Sequence, residues 1–161
     1  MAFNVNEFRS NISTKNDLAK RYNWQITAGV PFPLQCDVAE IPGRSFYTAE
    51  GKTYGPTYKV PYQSQYEPMN LSIICTNKFD ERQYFENWAK LITTDDFNFN
   101  YQNTYTKQVE LLQYDDAGTV VCTIKLIDAW PTTIAPMELN WADNSYHKLN
   151  IQLTYYRYIL S

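Results

Sequence analysis

The chain has 161 residues, with 14 Lys+Arg against 17 Asp+Glu and a formal charge of −3. That length fits one domain and buries about two-thirds of the unfolded surface, so a core needs neither disulfides nor metal. The weakly acidic balance argues against a dedicated nucleic-acid binder, and an aromatic content of 16% excludes a disordered polar tail and favours strands with broad contact surfaces.

Residues 1–20 are polar and mixed, with Phe3, Val5, Phe8, Ile12 and Leu18 as the apolar points. They read as an N-terminal arm with room for a short helix. Tyr22, Trp24, Ile26 and Ala28 then alternate with Asn23, Gln25 and Thr27, the period of a half-buried strand. Gly29-Val30-Pro31-Phe32-Pro33 interrupts it. Leu34, Cys36 and Val38 alternate with Gln35, Asp37 and Ala39 in a second strand, expected to pair antiparallel with the first. Ile41-Pro42-Gly43 closes that unit.

The stretch from Arg44 to Pro68 carries Tyr47, Tyr54, Tyr58, Tyr62 and Tyr66 but few aliphatic residues. With Gly51 and Gly55-Pro56 at its middle, it reads as a long hairpin over 44–62, with strands 44–48 and 57–62 and an irregular tip. Bare strand edges pair with other chains, so such a hairpin makes sense when another subunit covers it. Arg44, Phe46, Tyr47, Tyr54, Tyr58 and Tyr62 are the candidate subunit-interface residues.

Residues 69–76 form a strand with Met69, Leu71, Ile73 and Cys75 on one face. The period then changes: Tyr84, Phe85, Trp88, Leu91 and Ile92 recur at three- and four-residue spacing, one face of a helix over 78–92. Asn77 or Asp80 is the expected cap, and Asp80 and Glu81 complement the helix dipole. Tyr84, Phe85 and Trp88 are its expected core anchors. Residues 93–106 read as a polar-aromatic loop with a short strand.

A hairpin follows, from Val109 to Tyr114, a turn at Asp115-Asp116-Ala117-Gly118, and Thr119 to Ile127, with Val120, Cys122, Ile124 and Leu126 facing one way. Trp130-Pro131-Thr132 is expected to end that strand. Residues 133–145 make a connection containing Leu139 and Trp141, with a turn at Asp143-Asn144. The last strand places Leu149, Ile151, Leu153 and Tyr155 inward and Lys148, Asn150, Gln152 and Thr154 outward. The sum is seven or eight antiparallel strands and one main helix, in one domain over 1–161.

Nothing in this order spells out catalysis. The single histidine, His147, is in phase with Leu149 and reads as a packing or hydrogen-bonding residue. Asp95-Asp96 and Asp115-Asp116 read as turn and solubility carboxylates, because no set of six oxygen ligands accompanies them. GxxxxGK[ST], GxGxxG and HExxH motifs are absent. Tyr155-Tyr156-Arg157-Tyr158 suits a sheet edge or subunit contact better than base stacking. Cys36, Cys75 and Cys122 sit in apolar strand-like runs without Cys-x-x-Cys spacing, and read as reduced core thiols made in a reducing cytosol. No apolar run suffices for a membrane-spanning helix, and no secretory signal pattern is visible at the start.

Four motifs in order carry a resemblance. They are Leu34-Gln35-Cys36 with Ile41-Pro42-Gly43, Asp80-Glu81-Arg82-Gln83-Tyr84-Phe85-Glu86-Asn87-Trp88, Trp130-Pro131-Thr132, and Leu139-Asn140-Trp141-Ala142-Asp143-Asn144 before the alternating last strand. The chain resembles the tail tube protein of contractile-tailed bacteriophages over roughly residues 20–160. The departures are the tip at 48–56 and the stretch 93–106. The resemblance implies a mainly β fold, an antiparallel β-sandwich or small barrel with one main flanking helix. It further implies a hexameric ring with a continuous inner β-barrel, stacked into a tube that conducts genomic DNA without binding it specifically. The implied partners are the tail sheath, baseplate tube-initiating proteins, the tape measure protein and the tail terminator. The implied location is the virion tail, after synthesis in the host cytoplasm, with no cofactor, no metal and no enzymatic activity.

DNA must slide through such a lumen, so a wall of Asn, Gln, Ser and Thr suits it better than Lys/Arg rings. Gln63, Gln65, Asn70 and Ser72 are the candidate lumen residues, with ordinary solvated strand positions as the plain alternative. Two other readings remain open at this level. One is the tube of a phage-derived contractile injection or type VI-like secretion system; the other is a monomeric β-barrel that binds a small ligand.

Overall fold

A computed structural model describes residues 21, 23–29, 31, 36–52, 54–94 and 96–161. The expected N-terminal arm, and Tyr22, Val30, Phe32, Pro33, Leu34, Gln35 and Asp95 of the later segments, lie outside the described residues. Among the described residues nine strands follow in chain order. They are β1 (Trp24–Ala28), β2 (Cys36–Ala39), β3 (Arg44–Gly51), β4 (Tyr58–Tyr66), β5 (Met69–Ile74), β6 (Lys107–Tyr114), β7 (Val120–Ile134), β8 (Lys148–Thr154) and β9 (Arg157–Leu160). Two helices, α1 (Asp80–Ile92) and the single turn α2 (Gln102–Tyr105), lie between β5 and β6.

All strand pairs are antiparallel, and seven strands join in one system ordered β1-β6-β7-β8-β5-β2, with β9 also on β7. The expected pairing of the first two strands is not formed: β1 pairs with β6, and β2 with β5. Two adjacent alternating runs predict two strands, but partner choice belongs to the longer core strands. Gly29 shows the local reason for the break. It takes φ +77°, and a Cβ there would stand 2.7 Å from the Gln108 carbonyl oxygen and from Val109. Only glycine allows that close approach of β1's end to β6.

Strand β7 is the hinge of the architecture. Its first half pairs with β6 and β9, and its second half with β8. Trp130-Pro131-Thr132 therefore lies inside the strand and does not end it: Trp130 pairs with Thr154 and Pro131 with Leu153. The inward positions run Ile124, Leu126, then Ala129 and Pro131, changing parity at Asp128, which has φ 55°. One residue in the left-handed region bends the strand and keeps the same face inward, as a bulge does. A second register shift follows Pro131, which has no N–H to give to a ladder. The last strand makes the matching change. It divides at Tyr155-Tyr156 into β8, which follows the second half of β7, and β9, which follows the first. That division accounts for more strands than the seven or eight expected.

The core gathers from both halves of this folded sheet. Ile26, Val109, Leu111, Ile124 and Leu126 come from one half, and Met69, Leu71, Ile73, Leu149, Ile151 and Leu153 from the other. On β5 and β8 the buried positions alternate as the period-two reading requires. Helix α1 adds Phe85 and Trp88 to the same cluster. Its apolar residues at three- and four-residue spacing make one face, although Leu91 at its end is exposed.

The start of α1 differs from expectation. It begins at Asp80, neither Asn77 nor Asp80 caps it, and Phe79 holds the N-cap position in left-handed geometry without a side-chain cap bond. Glu81 does the tying instead. Its buried carboxylate accepts hydrogen bonds from the backbone N–H of Thr76 at 3.1 Å and from the Thr76 hydroxyl at 3.2 Å.

Candidate functional site

Strands β3 and β4 form a separate two-stranded sheet, longer than the expected strands and, among the described residues, paired only with each other. Nearly every side chain on both faces is exposed. An isolated hairpin is marginal in water, so what anchors it matters. At its base, Tyr66 packs against Tyr155 and Tyr158, with ring centroids 6.1 and 5.4 Å away. The Glu67 N–H donates to the Gly43 carbonyl at 3.1 Å, and the Tyr155 hydroxyl donates to the Glu67 carbonyl. Burial first, then the neighbouring Tyr158 and Glu67, pushes the Tyr155 hydroxyl up to about 12.

Above the base the hairpin is an aromatic arm. The Arg44 guanidinium lies over the rings of Phe46 and Tyr66, at 4.9 and 5.4 Å. Tyr47 and Tyr62 meet at 6.2 Å across the bulge that shifts the register after Tyr47. Tyr58 stands opposite Gly51, where a Cβ would run into its ring. Tyr54, at the tip, is fully exposed. The six interface candidates thus share one projecting element, on which Phe46, Tyr47, Tyr58 and Tyr62 keep about half or more of their surface in solvent.

The four lumen candidates lie on two sheets. Gln63 and Gln65 stand opposite Tyr47 and Ser45 on the hairpin. Asn70 and Ser72 lie on the outer face of β5, opposite Gln152 and Asn150 of β8. That outer face is a polar ladder. Asn70 donates to Glu40 at 2.6 Å and accepts from Gln152 at 3.3 Å, and the Thr132 and Thr154 hydroxyls meet beside it. Its lysine, Lys148, is matched by Asp37 at 2.6 Å, and that hydrogen bond raises the Lys148 ammonium above its ordinary value.

The helix residues are fixed from several sides. Phe85 and Trp88 are buried, and Tyr84 is half-buried. The Trp88 indole N–H donates to the Tyr105 carbonyl at 2.6 Å. The Lys107 ammonium lies 4.6 Å from the Trp88 ring and 4.9 Å from the Tyr84 ring, and donates to the Tyr84 hydroxyl at 3.0 Å. That hydroxyl donates in turn to the Gly29 carbonyl at 2.8 Å. The polar side of the helix face is therefore satisfied while its apolar side fills the core.

Two exposed aromatic segments were not singled out as contact surfaces by the sequence reading. Phe97, Phe99 and Tyr101 project from the loop after α1, and Leu139, Trp141 and Tyr146 from the connection between β7 and β8. Neither segment has a period of two or 3.6, so pattern reading assigns them to no face. The available signal is aromatic density in a stretch too polar to be core.

The chemistry of the remaining groups is quiet. His147 packs its ring on Phe79 at 5.7 Å. Asp115 and Asp116 sit in the β6–β7 turn, where Asp115 accepts the N–H of Asp116. The cysteines are half-buried; burial pushes the Cys36 thiol up to about 11 and, with the Glu81 charge behind it, also raises Cys75. Among the described residues no group of three His, Cys, Asp or Glu is placed to hold a metal, and no helix is long and apolar enough to cross a membrane.

A fold of this kind, with an exposed aromatic hairpin, agrees with the comparisons. The phage tail tube protein family matches residues 2–161. The chain belongs to that family. No curated protein sequence matches it. Among solved structures it is similar to a chain from the sheath/tube terminator of an extracellular contractile injection system, PVC, in the extended state. That match has a TM-score of 0.72 at 20% identity, covering 89% of this chain and 96% of that one. A chain of the PVC sheath-tube complex gives 0.72 at 18% identity over 99% of both. Hcp1 from Flavobacterium johnsoniae gives 0.50 at 10% identity, covering 87% and 95%. At such identities the likeness is one of fold. The tail tube family makes the chain a structural tube subunit of a tail or tail-like particle, and not an enzyme.

Proposed function

We propose that this tube subunit assembles as stacked six-membered rings and that the β3–β4 hairpin is the element that joins copies. The observation that carries this reading is the isolation of the hairpin: a two-stranded sheet of eight- and nine-residue strands, exposed on both faces, with no third strand among the described residues. A ring of six needs a heterologous contact, in which two different patches meet, and a projecting arm supplies one of them. Arg44, Phe46, Tyr47, Tyr54, Tyr58 and Tyr62 are the contact residues of that arm. Its unpaired strand edges offer main-chain hydrogen bonds, and its tyrosines offer large apolar area with few rotors.

In this reading the outer face of β5 and β8 lines the channel. Asn70 and Ser72 belong to a surface of amides and hydroxyls whose lysine is neutralised by a neighbour. Such a wall stays wet and gives phosphates no cationic ring to bind. Gln63 and Gln65 reach the channel only if the hairpin also borders it. The cargo is genomic DNA during infection, and the tube works with a sheath, a baseplate that initiates it, a tape measure protein and a terminator. Synthesis takes place in the host cytoplasm.

A second reading has a specific observation in its favour: solved chains of similar fold come from an extracellular contractile injection system. There the cargo would be protein. Neighbouring capsid and terminase genes would decide for a phage, and toxin genes for an injection device.

The test of the assembly is negative-stain electron microscopy of the purified chain across a concentration series. Rings or tubes with a central channel and sixfold end views are expected. Featureless monomers at every concentration, with or without a baseplate fraction to nucleate them, would sink the proposal.

A further inference from the structure

We propose that the tip of the β3–β4 hairpin of one copy docks on the 138–147 loop of a second copy. This rests on the reading of the hairpin as the joining element and names the surface it meets.

The loop has the form of a receptor. Trp141 is fully exposed, and Leu139 and Tyr146 are largely so. Together with Glu138, Asp143 and His147 they surround an open concavity. The exposed rings do not hang from slack chain. Asp143 accepts hydrogen bonds from the Ser145 N–H at 2.9 Å and the Ser145 hydroxyl at 2.8 Å, and Asn140 accepts one from the Ala142 N–H at 3.0 Å. A loop ordered before binding loses less freedom on binding, and an exposed Trp on such a frame is the residue type that dominates contact energies.

The hairpin tip has the form of a ligand. It ends in Tyr54, which has no neighbour covering it. Its charge is opposite to that of the loop. Lys59 stands opposite Glu50, so Lys52 leaves the tip net positive, while Glu138 and Asp143 make the loop net negative. The bonds from Ser145 hold the Asp143 carboxyl below its ordinary value, which keeps that charge in place. An aromatic tip with a positive charge therefore faces a concave aromatic loop with negative charge. Complementary charge fixes orientation and register as well as attraction. The two patches differ, so their contact is heterologous and propagates from copy to copy.

The full chain is tested as a polymer, by sedimentation at about 0.15 M salt, where surface charges still act over about 8 Å. Trp141→Ala should raise the critical concentration for polymer at least about tenfold, the scale of a contact hot spot. Lys52→Glu and Glu138→Lys should each weaken polymerisation, and the double variant should recover it. Should Trp141→Ala also lower the unfolding midpoint, a cysteine pair decides: Tyr54→Cys with Asn140→Cys, joined by a short bismaleimide in assembled material. A ladder of crosslinked chains that neither single variant gives supports the contact; assembled polymer without a ladder overturns it. If removing residues 48–56 abolishes polymer while the loop variants leave it unchanged, the hairpin docks elsewhere: this inference fails and the proposed function stands. If polymer survives removal of 48–56, the hairpin reading itself fails.

Discussion

Strands β5 and β3 are both paired antiparallel along their length, yet they live in opposite environments. On β5 every second side chain is buried, and the strand has β8 on one side and β2 on the other. On β3 no residue before Gly51 is even half-buried, and among the described residues β4 is its single partner. Backbone hydrogen bonds alone contribute little net stability, because water competes for the same groups. Burial therefore separates the two ladders. The first is stable within one chain; in the proposed assembly the second is completed by a second chain.

The largest expected effect breaks this comparison at the hairpin. Deleting residues 48–56 is expected to abolish polymer while leaving the unfolding midpoint of the monomer unmoved. Sedimentation and chemical denaturation on the same preparation check both halves. A large loss of monomer stability would show that the hairpin belongs to the core after all.

Next comes the core side. Trp88→Ala is expected to cost about 3–5 kcal/mol, the range for deleting a large buried ring. It removes the stack on Phe85, the bond to the Tyr105 carbonyl and the seat of the Lys107 ammonium. A near-neutral denaturation midpoint would show that the helix is not a structural anchor. Glu81→Ala should cost less, about 1–3 kcal/mol, the scale of the bonds its carboxylate makes to the Thr76 N–H and hydroxyl. An unchanged midpoint there would mean that water takes over both bonds.

The same contrast explains how far the sequence could be read. Period-two runs such as Leu149-Ile151-Leu153-Tyr155, and the helical face of Phe85 and Trp88, are legible because burial imposes them. The aromatic hairpin is legible for the opposite reason: a strand pattern with too little aliphatic content to be core. Three features were not legible. The partner of β1 is chosen by long-range packing, and local alternation carries no record of it. The continuation of β7 through Trp130-Pro131 depends on one left-handed residue, Asp128, whose effect on parity looks in sequence like the end of a strand. The start of α1 uses a buried carboxylate one residue inside the helix, where pattern rules look for a cap before it. At the candidate site, Trp141 is legible in sequence as part of a motif but not as a surface, because exposure has no period.

The smallest expected effect lies where the two regions meet. Tyr155 is buried in the core, and its hydroxyl holds the Glu67 carbonyl at the foot of the hairpin. Tyr155→Phe keeps the ring and loses one hydrogen bond, so at neutral pH it should cost about 1 kcal/mol. The pH dependence carries more information than the magnitude. Burial raises the Tyr155 hydroxyl from the ordinary tyrosine value of 10.0 to about 12 in the folded chain. A raised folded value means that the unfolded state gives up the proton first. The contribution of Tyr155 is therefore complete below pH 10 and is lost between pH 10 and 12. The phenylalanine variant has no such proton. The stability gap between the two proteins should hold constant from pH 7 to 10, then close and change sign as pH rises toward 12, measured as the difference between their denaturation midpoints. A gap that stays constant through pH 12 would mean that the Tyr155 hydroxyl is open to water, and that the foot of the hairpin is not sealed into the core.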